Sequence, residues 1–236
     1  MNIKSALKRV PGVSHVRQAH LTILRSVYGD LYHKVIFRKI WTENRWGDAE
    51  SRSGSGSSIR ETIHLRNGLA NLLERLRVRR LLDLPCGDFN WMNEVALPSE
   101  AVYVGGDIVE EIVIANQERY GCEARLFLTL DVLRDTLPTA DVILCRDCLV
   151  HFSFLDISAA LRNLKRSGAA YLLTTHFTGN RTNYDIPTGQ WRPLNLTRPP
   201  FNFPPPLFVI DEECSELGGR YRDKRLALWM LEDLPS

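Results

Sequence analysis

From residue 59 onward, short apolar runs alternate with stretches that are apolar on one face only. Ile59, Ile63, Leu69, Leu72, Leu73 and Leu76 recur at helical spacing and predict a helix, with Ser58 and Glu61 forming an S-x-x-E capping box at its start. Leu81-Leu82, Tyr103-Val104-Gly105 and the runs at residues 126–130, 141–145 and 169–175 then read as five strands. Helical patterns cover residues 109–120 and 155–166. Strands buried on both faces are apolar throughout, so these runs predict a parallel sheet. Residues 207–210 and 226–231 predict two more strands, joined by a polar segment with Gly218-Gly219 in a hairpin-like connection. The pattern therefore predicts an α/β fold: a doubly wound, mostly parallel sheet of seven strands with an antiparallel C-terminal strand.

Composition narrows the class. At 236 residues, 44% hydrophobic and 25% charged, the chain is neither disordered nor fibrous, and its length suits one sizeable core. The longest unbroken apolar run, residues 226–231, falls far short of the roughly 20 residues of a membrane-spanning helix. Lys4, Lys8 and Arg9 precede no apolar stretch, so no secretory signal is expected. Five cysteines without framework spacing point to a reducing compartment, and a cytoplasmic location is expected. The net charge of +2 hides an asymmetry: residues 1–45 hold nine Lys or Arg against Asp30 and Glu43. This divides the chain into a basic, helical extension (1–45) and an acidic catalytic domain (46–236). A solvated helical face is the favoured reading of the extension, with peripheral contact to an anionic membrane the alternative. Its charges do not alternate with aromatics and no nucleic-acid module is recognisable, so nucleic acid is not an expected partner.

Ligands in open α/β sheets bind beyond the carboxyl ends of the strands. Polar residues gather there: Asp83 to Asp88 after the first strand, Asp107 after the second, Asp131 after the third, Arg146 to His151 after the fourth, His176 after the fifth. Turn chemistry explains any one of them, but not their recurrence. Asp107 is the most informative. An acid at the tip of the second strand, 20 residues after Gly87, is placed to accept hydrogen bonds from ribose hydroxyls. A dinucleotide fold requires three glycines in the first turn so that a pyrophosphate can sit on a helix N-terminus. Asp83-Leu-Pro-Cys-Gly-Asp88 has one glycine and two carboxylates. Those charges repel a pyrophosphate and suit an amino group and a sulfonium.

Three segments together resemble the class I S-adenosylmethionine (SAM)-dependent methyltransferases, in the form of a bacterial subgroup with a D-x-P-C-G-D first motif. They are Leu81-Leu-Asp-Leu-Pro-Cys-Gly-Asp-Phe-Asn-Trp-Met92, Tyr103-Val-Gly-Gly-Asp-Ile-Val109 and Asp141-Val-Ile-Leu-Cys-Arg-Asp-Cys-Leu-Val-His151. The likeness covers about residues 41–231. Pro85 and Phe89 stand where the usual D-x-G-x-G-x-G motif has its outer glycines. The resemblance implies a Rossmann-like fold, SAM as cofactor and a methyl transfer. It implies that Asp83 and the Gly87 backbone face the methionine end, that Asp107 binds the ribose, that Asp131 and Val132 flank the adenine, and that Arg146 and Asp147 line the cleft beside the methyl. Pro85, Cys86, Asp88, Trp91 and Ile108 complete the expected cofactor-binding set. The acceptor is left open between small molecules, saccharide hydroxyls and proteins.

Asp147, His151 and His176 are the candidates for the general base. Trp46, Trp91 and Trp191 are read either as core caps or as an acceptor platform. Residues 183–206, long and proline-rich, are a candidate acceptor pocket. Residues 53–58, Ser-Gly-Ser-Gly-Ser-Ser, lack the Lys of a phosphate loop and read either as a flexible linker or as a lid whose N–H groups receive the SAM carboxylate. Cys145-x-x-Cys148 has no second pair, so no metal site is expected. Two rival readings stand: a nicotinamide-dependent oxidoreductase on a related fold, and a non-catalytic binding subunit of the same fold.

Overall fold

In the computed structural model, which describes residues 29–235, seven strands form one sheet. They are β1 (Arg80–Asp83), β2 (Val102–Asp107), β3 (Arg125–Thr129), β4 (Val142–Cys145), β5 (Tyr171–Phe177), β6 (Phe208–Asp211) and β7 (Lys224–Met230). Their spatial order is β3-β2-β1-β4-β5-β7-β6. β7 alone runs against its neighbours, β5 and β6. The expected Rossmann-like architecture is therefore present, with its antiparallel C-terminal strand. That last strand in sequence inserts between β5 and β6. Burial explains this: Leu226, Ala227, Leu228 and Trp229 are all buried, as only an interior strand requires, whereas β6 buries Ile210 alone.

The helices α1 (Tyr32–Thr42), α2 (Ile63–Arg75), α3 (Glu110–Tyr120) and α4 (Phe154–Arg166) cover the sheet. Two apolar layers fill its faces, one around Leu82, Ile143 and Leu172, the other around Leu81, Val142 and Leu173. Alternate residues of β1, β4 and β5 thus feed opposite layers.

The caps of two helices contrast. α4 has a side-chain cap, with the Ser153 hydroxyl accepting from Asp156 N at 3.2 Å. α2 begins only at Ile63. Ser58 Oγ accepts from Glu61 N at 3.3 Å, but the Glu61 carboxylate does not return to Ser58. It accepts instead from the backbone and hydroxyl of Ser215, so a tertiary contact takes the second half of the capping box.

Residues 1–28 of the expected extension lie outside the described residues, but α1 does not behave as an appendage. Tyr32, Ile36 and Ile40 are buried along one face. Tyr32 Oη donates to Thr188 O at 2.7 Å, and His33 Nε2 lies 3.1 Å from Asp156 Oδ2 at the start of α4. Exposed pairs of Lys34 with Glu110 and Arg38 with Glu111 reach the start of α3. Such surface pairs contribute little, so burial holds α1 across the carboxyl ends of the strands. No helix among the described residues is long and apolar enough to cross a membrane.

Candidate active site

The strand order reverses direction at β1, which has β2 on one side and β4 on the other. A crevice opens at such a switch point. Here it is a cleft of about 1030 Å³, open to solvent. Its walls include Asp83, Pro85, Cys86, Gly87, Trp91, Asp107, Ile108, Asp131, Val132, Arg146, Asp147 and His151. Strand ends distant in sequence thus converge on one site.

At its centre, Asp107 clamps the β1 and β2 turns together. Its Oδ2 accepts from Gly87 N at 3.2 Å and its Oδ1 from Val109 N at 2.9 Å. Burial raises its pKa to about 6, against the pull of those backbone donors. Asp83 is buried beside it, accepting from Tyr103 Oη at 2.7 Å, and burial raises it to about 7. Each carboxylate oxygen retains a lone pair for a ligand. Gly87 has a φ of 54°, and a Cβ there would stand 2.3 Å from Ser53 Oγ. No side chain fits between the turn and the segment above it.

That segment is the Gly/Ser stretch, and Asp88 anchors it. The Asp88 carboxylate accepts from Ser51 Oγ at 2.9 Å, Arg52 N at 2.9 Å and Ser53 Oγ at 3.1 Å. Its acceptors are used there, and it does not line the cleft. The expectation that Asp88 faces a cofactor is thereby corrected: it tethers the loop whose Ser53 and Ser57 form part of the wall. The stretch is accordingly a pinned loop rather than a free linker.

Arg146 pins the same loop from the other side. Its Nη2 donates to Gly56 O at 2.8 Å and to Glu212 Oε2 at 2.7 Å, and its guanidinium lies 5.2 Å from the Trp91 ring centre. Lys224 Nζ stands 2.6 Å from Asp147 Oδ2 and 3.4 Å from Glu212 Oε2. Two cations and two anions thus form a cluster at the cleft wall, with Arg146, Glu212 and Lys224 buried and Asp147 partly exposed. Burial opposes the charge on Arg146, but Glu212 and Asp147 more than offset it and hold its pKa above the ordinary range. Glu212 and Lys224 were not legible as site residues, since each looks like an ordinary charge beside a strand. Removing one partner of a buried ionic cluster costs about 3–5 kcal/mol, because the remaining charges lose their compensation. Glu212→Ala is expected to destabilise the protein by about that amount in urea unfolding, with an unchanged dependence on denaturant.

The three candidate bases separate. Burial pushes the Asp147 carboxyl up, but Lys224 and Arg146 outweigh it and hold it far below the usual range. An anion so stabilised is a poor proton acceptor, so Asp147 is corrected to a structural partner of the two cations. His176 is buried beneath β7, with Nδ1 accepting from Leu196 N at 3.1 Å and its ring edge-on to Trp229. It does not line the cleft, so it too is corrected. His151 does line it. Its Nδ1 is 2.8 Å from the carbonyl of Gln190. A carbonyl only accepts, so Nδ1 carries the proton and Nε2 keeps a lone pair. Burial lowers its pKa, which keeps that lone pair available at neutral pH.

The tryptophans and the long loop also separate. Trp46 lines the cleft with its ring centre 5.2 Å from that of His151. Trp91 is buried under Arg146, and Trp191 packs on Phe177 and Tyr221 away from the cleft. Residues 183–206 contribute no wall to the cleft. They brace it: Arg192 is fully buried and donates to the carbonyls of Leu149, Val150 and Phe152, fixing the turn that carries His151. The wall that sequence reasoning missed is α1, which supplies His33, Phe37 and Trp41. The one available signal was its apolar face at Tyr32, Ile36 and Ile40.

No family model and no curated protein matches the sequence. Among solved structures, that of TnmH matches with a TM-score of 0.55 at 16% identity, over 73% of this chain and 56% of that one. This chain therefore spans just over half of TnmH. The SAH-bound magnesium protoporphyrin IX methyltransferase of Synechocystis PCC 6803 matches at 18% identity and a TM-score of 0.45, over 66% of this chain and 73% of that one. An O-methyltransferase family protein from Burkholderia thailandensis matches at 18% and 0.43, over 52% and 40%. At 16% identity the likeness to TnmH is one of fold.

Proposed function

We propose that this chain is a class I SAM-dependent methyltransferase that moves a methyl group to a hydroxyl acceptor. The observation that carries the proposal is Asp107: a carboxylate at the tip of β2, held in place by Gly87 N and Val109 N at the centre of an acid-lined cleft. The residues fit the cofactor. Asp107 offers its free lone pairs to two ribose hydroxyls, and Asp83 faces the amino group of the methionine end. Asp131 and Val132 flank the adenine, and Ser57, on the pinned Gly/Ser loop at the cleft wall, offers its hydroxyl to the carboxylate. SAM supplies a methyl carbon made electrophilic by its sulfonium. The chain's own task is to hold donor and acceptor in line, which is where most of the acceleration in such a transfer arises. His151 Nε2 takes the acceptor's proton.

A thermal-shift comparison of SAM, SAH and NAD tests the assignment. Saturation at a hundred times Kd stabilises by about 2.7 kcal/mol, and each kcal/mol raises Tm by roughly 2–4 °C for a chain of this size. SAM and SAH are expected to produce that shift and NAD none. A response to NAD alone, or to none of the three, removes the proposal.

The ionisation of Asp107 supplies a second test. Burial holds its pKa near 6 in the free protein. Its protonated form gives up acceptor capacity, and a cationic ligand favours the ionised form. Asp83, raised to about 7, faces the same cationic ligand, so affinity falls in two steps as pH drops, through 7 as Asp83 takes up a proton and through 6 as Asp107 does, the second step contributing roughly tenfold at pH 5. Calorimetry from pH 5 to 9 is expected to show both steps, and Asp107→Asn is expected to remove the lower one.

A further inference from the structure

Charge is distributed unevenly around the cleft. Four carboxylates line it, Asp83, Asp107, Asp131 and Asp147, against the single guanidinium of Arg146. Arg146 is already committed to Glu212, Asp147 and the Gly56 carbonyl, and Lys224 behind it to Asp147 and Glu212. The exposed Arg52 has its guanidinium 5.5 Å from the Trp41 ring centre at the mouth, outside the cleft wall. With SAM in place, Asp83, Asp107 and Asp131 are taken up by the cofactor. An anionic acceptor would then meet the already paired Asp147 and no uncommitted side-chain cation within the wall, so that its own charge would be buried without a partner.

The mouth carries an aromatic feature instead. Trp46 is 38% exposed, yet its position is set from two sides. Its Cβ lies 3.4 Å from where a Cβ on Gly54 would stand, so its base rests on the Gly/Ser loop. Its ring is inclined 36° to the imidazole of His151. An exposed indole held beside the lone pair of an imidazole offers a flat apolar surface next to a proton acceptor.

From this juxtaposition we infer that the methyl acceptor is an uncharged ring compound with a hydroxyl at its rim, lying on Trp46 with that hydroxyl on Nε2 of His151. The inference rests on the methyltransferase reading. In the step, the acceptor oxygen bonds to the methyl carbon as the carbon–sulfur bond breaks. The sulfur keeps the electron pair and becomes the thioether of SAH, and the hydroxyl proton passes to Nε2. Saccharides and phenols share the required chemistry.

Two matched pairs test it, in labelled methyl transfer from SAM and in titration of the SAH-loaded protein. Methyl glucopyranoside is set against glucose 6-phosphate, and catechol against 3,4-dihydroxybenzoate. At least one neutral member is expected to bind and accept methyl, with its anionic twin at least tenfold weaker, and the responding pair identifies the ring class. Trp46→Ala is expected to raise KM for that probe at least tenfold, Trp46→Phe to restore most of it, and both to leave the Kd of SAH unchanged. Preference for an anionic twin, lost in Arg52→Ala, overturns the inference. Silence from both pairs, or an unchanged KM in Trp46→Ala, does the same. Binding of SAH in the same titrations reports separately on the cofactor reading, which fails only if SAH does not bind.

Discussion

Asp107→Ala is expected to weaken SAM binding by roughly a hundredfold to ten-thousandfold in calorimetric titration. Each hydrogen bond from a ribose hydroxyl to an ionised carboxylate contributes about 1.5–3 kcal/mol, so losing two costs about 3–6 kcal/mol. A tenfold change in affinity corresponds to about 1.4 kcal/mol. The substitution also leaves Gly87 N and Val109 N without their acceptor, which loosens the two turns that shape the cleft. Asp107→Asn separates the effects. It keeps an acceptor oxygen but no charge, and is expected to lie between wild type and alanine. Equal affinity in wild type and Asp107→Ala would show that the ribose is held elsewhere.

His151→Ala is expected to lower kcat by about a hundredfold to ten-thousandfold, the usual contribution of a positioned proton acceptor, with the Kd of SAM unchanged. The split between binding and turnover is the point of the measurement. His151 is fixed by the Gln190 carbonyl at the cleft wall, and in the proposed reading its loss removes the base and leaves the cofactor's partners in place. The pH profile adds a second readout. The rate should fall on the acid side with an apparent pKa below 6.5, since burial lowers the imidazole's value, and that limb should vanish in the variant. An unchanged rate would exclude His151 as the base.

Much of the fold was legible because its signals are local. The apolar runs of β1, β2, β4 and β5 and the helical periods of α3 and α4 each lie within a dozen or so consecutive residues. The strand-end acids were legible for a related reason. Parallel strands all deliver their following residues to one end of the sheet, so Asp83, Asp107 and Asp131 had to share a face once the topology was known. The capping box at Ser58 illustrates the limit. The spacing was right, and Ser58 does accept from Glu61 N, but the Glu61 side chain found Ser215 instead. Asp88 and His176 show the same limit at the site. Each stands at a strand end, yet chain that folds back over it uses its hydrogen-bonding atoms.

Local pattern was enough for a doubly wound sheet, a cleft at the carboxyl ends of its strands, and a first turn with acids where a pyrophosphate fold has glycines. Long-range packing sets which of these polar groups remain free for a ligand. Glu212 reaches Arg146 across 66 residues, Lys224 reaches Asp147 across 77, and His33 reaches Asp156 across 123. Periodicity and motif spacing carry no information about pairings at such separations. Those pairings neutralise Arg146 and Asp147, draw α1 over the cleft, and leave His151 and Trp46 facing into it. The physical reason is that a buried charge must find a partner wherever the chain brings one, and a group so paired has little left to offer a substrate.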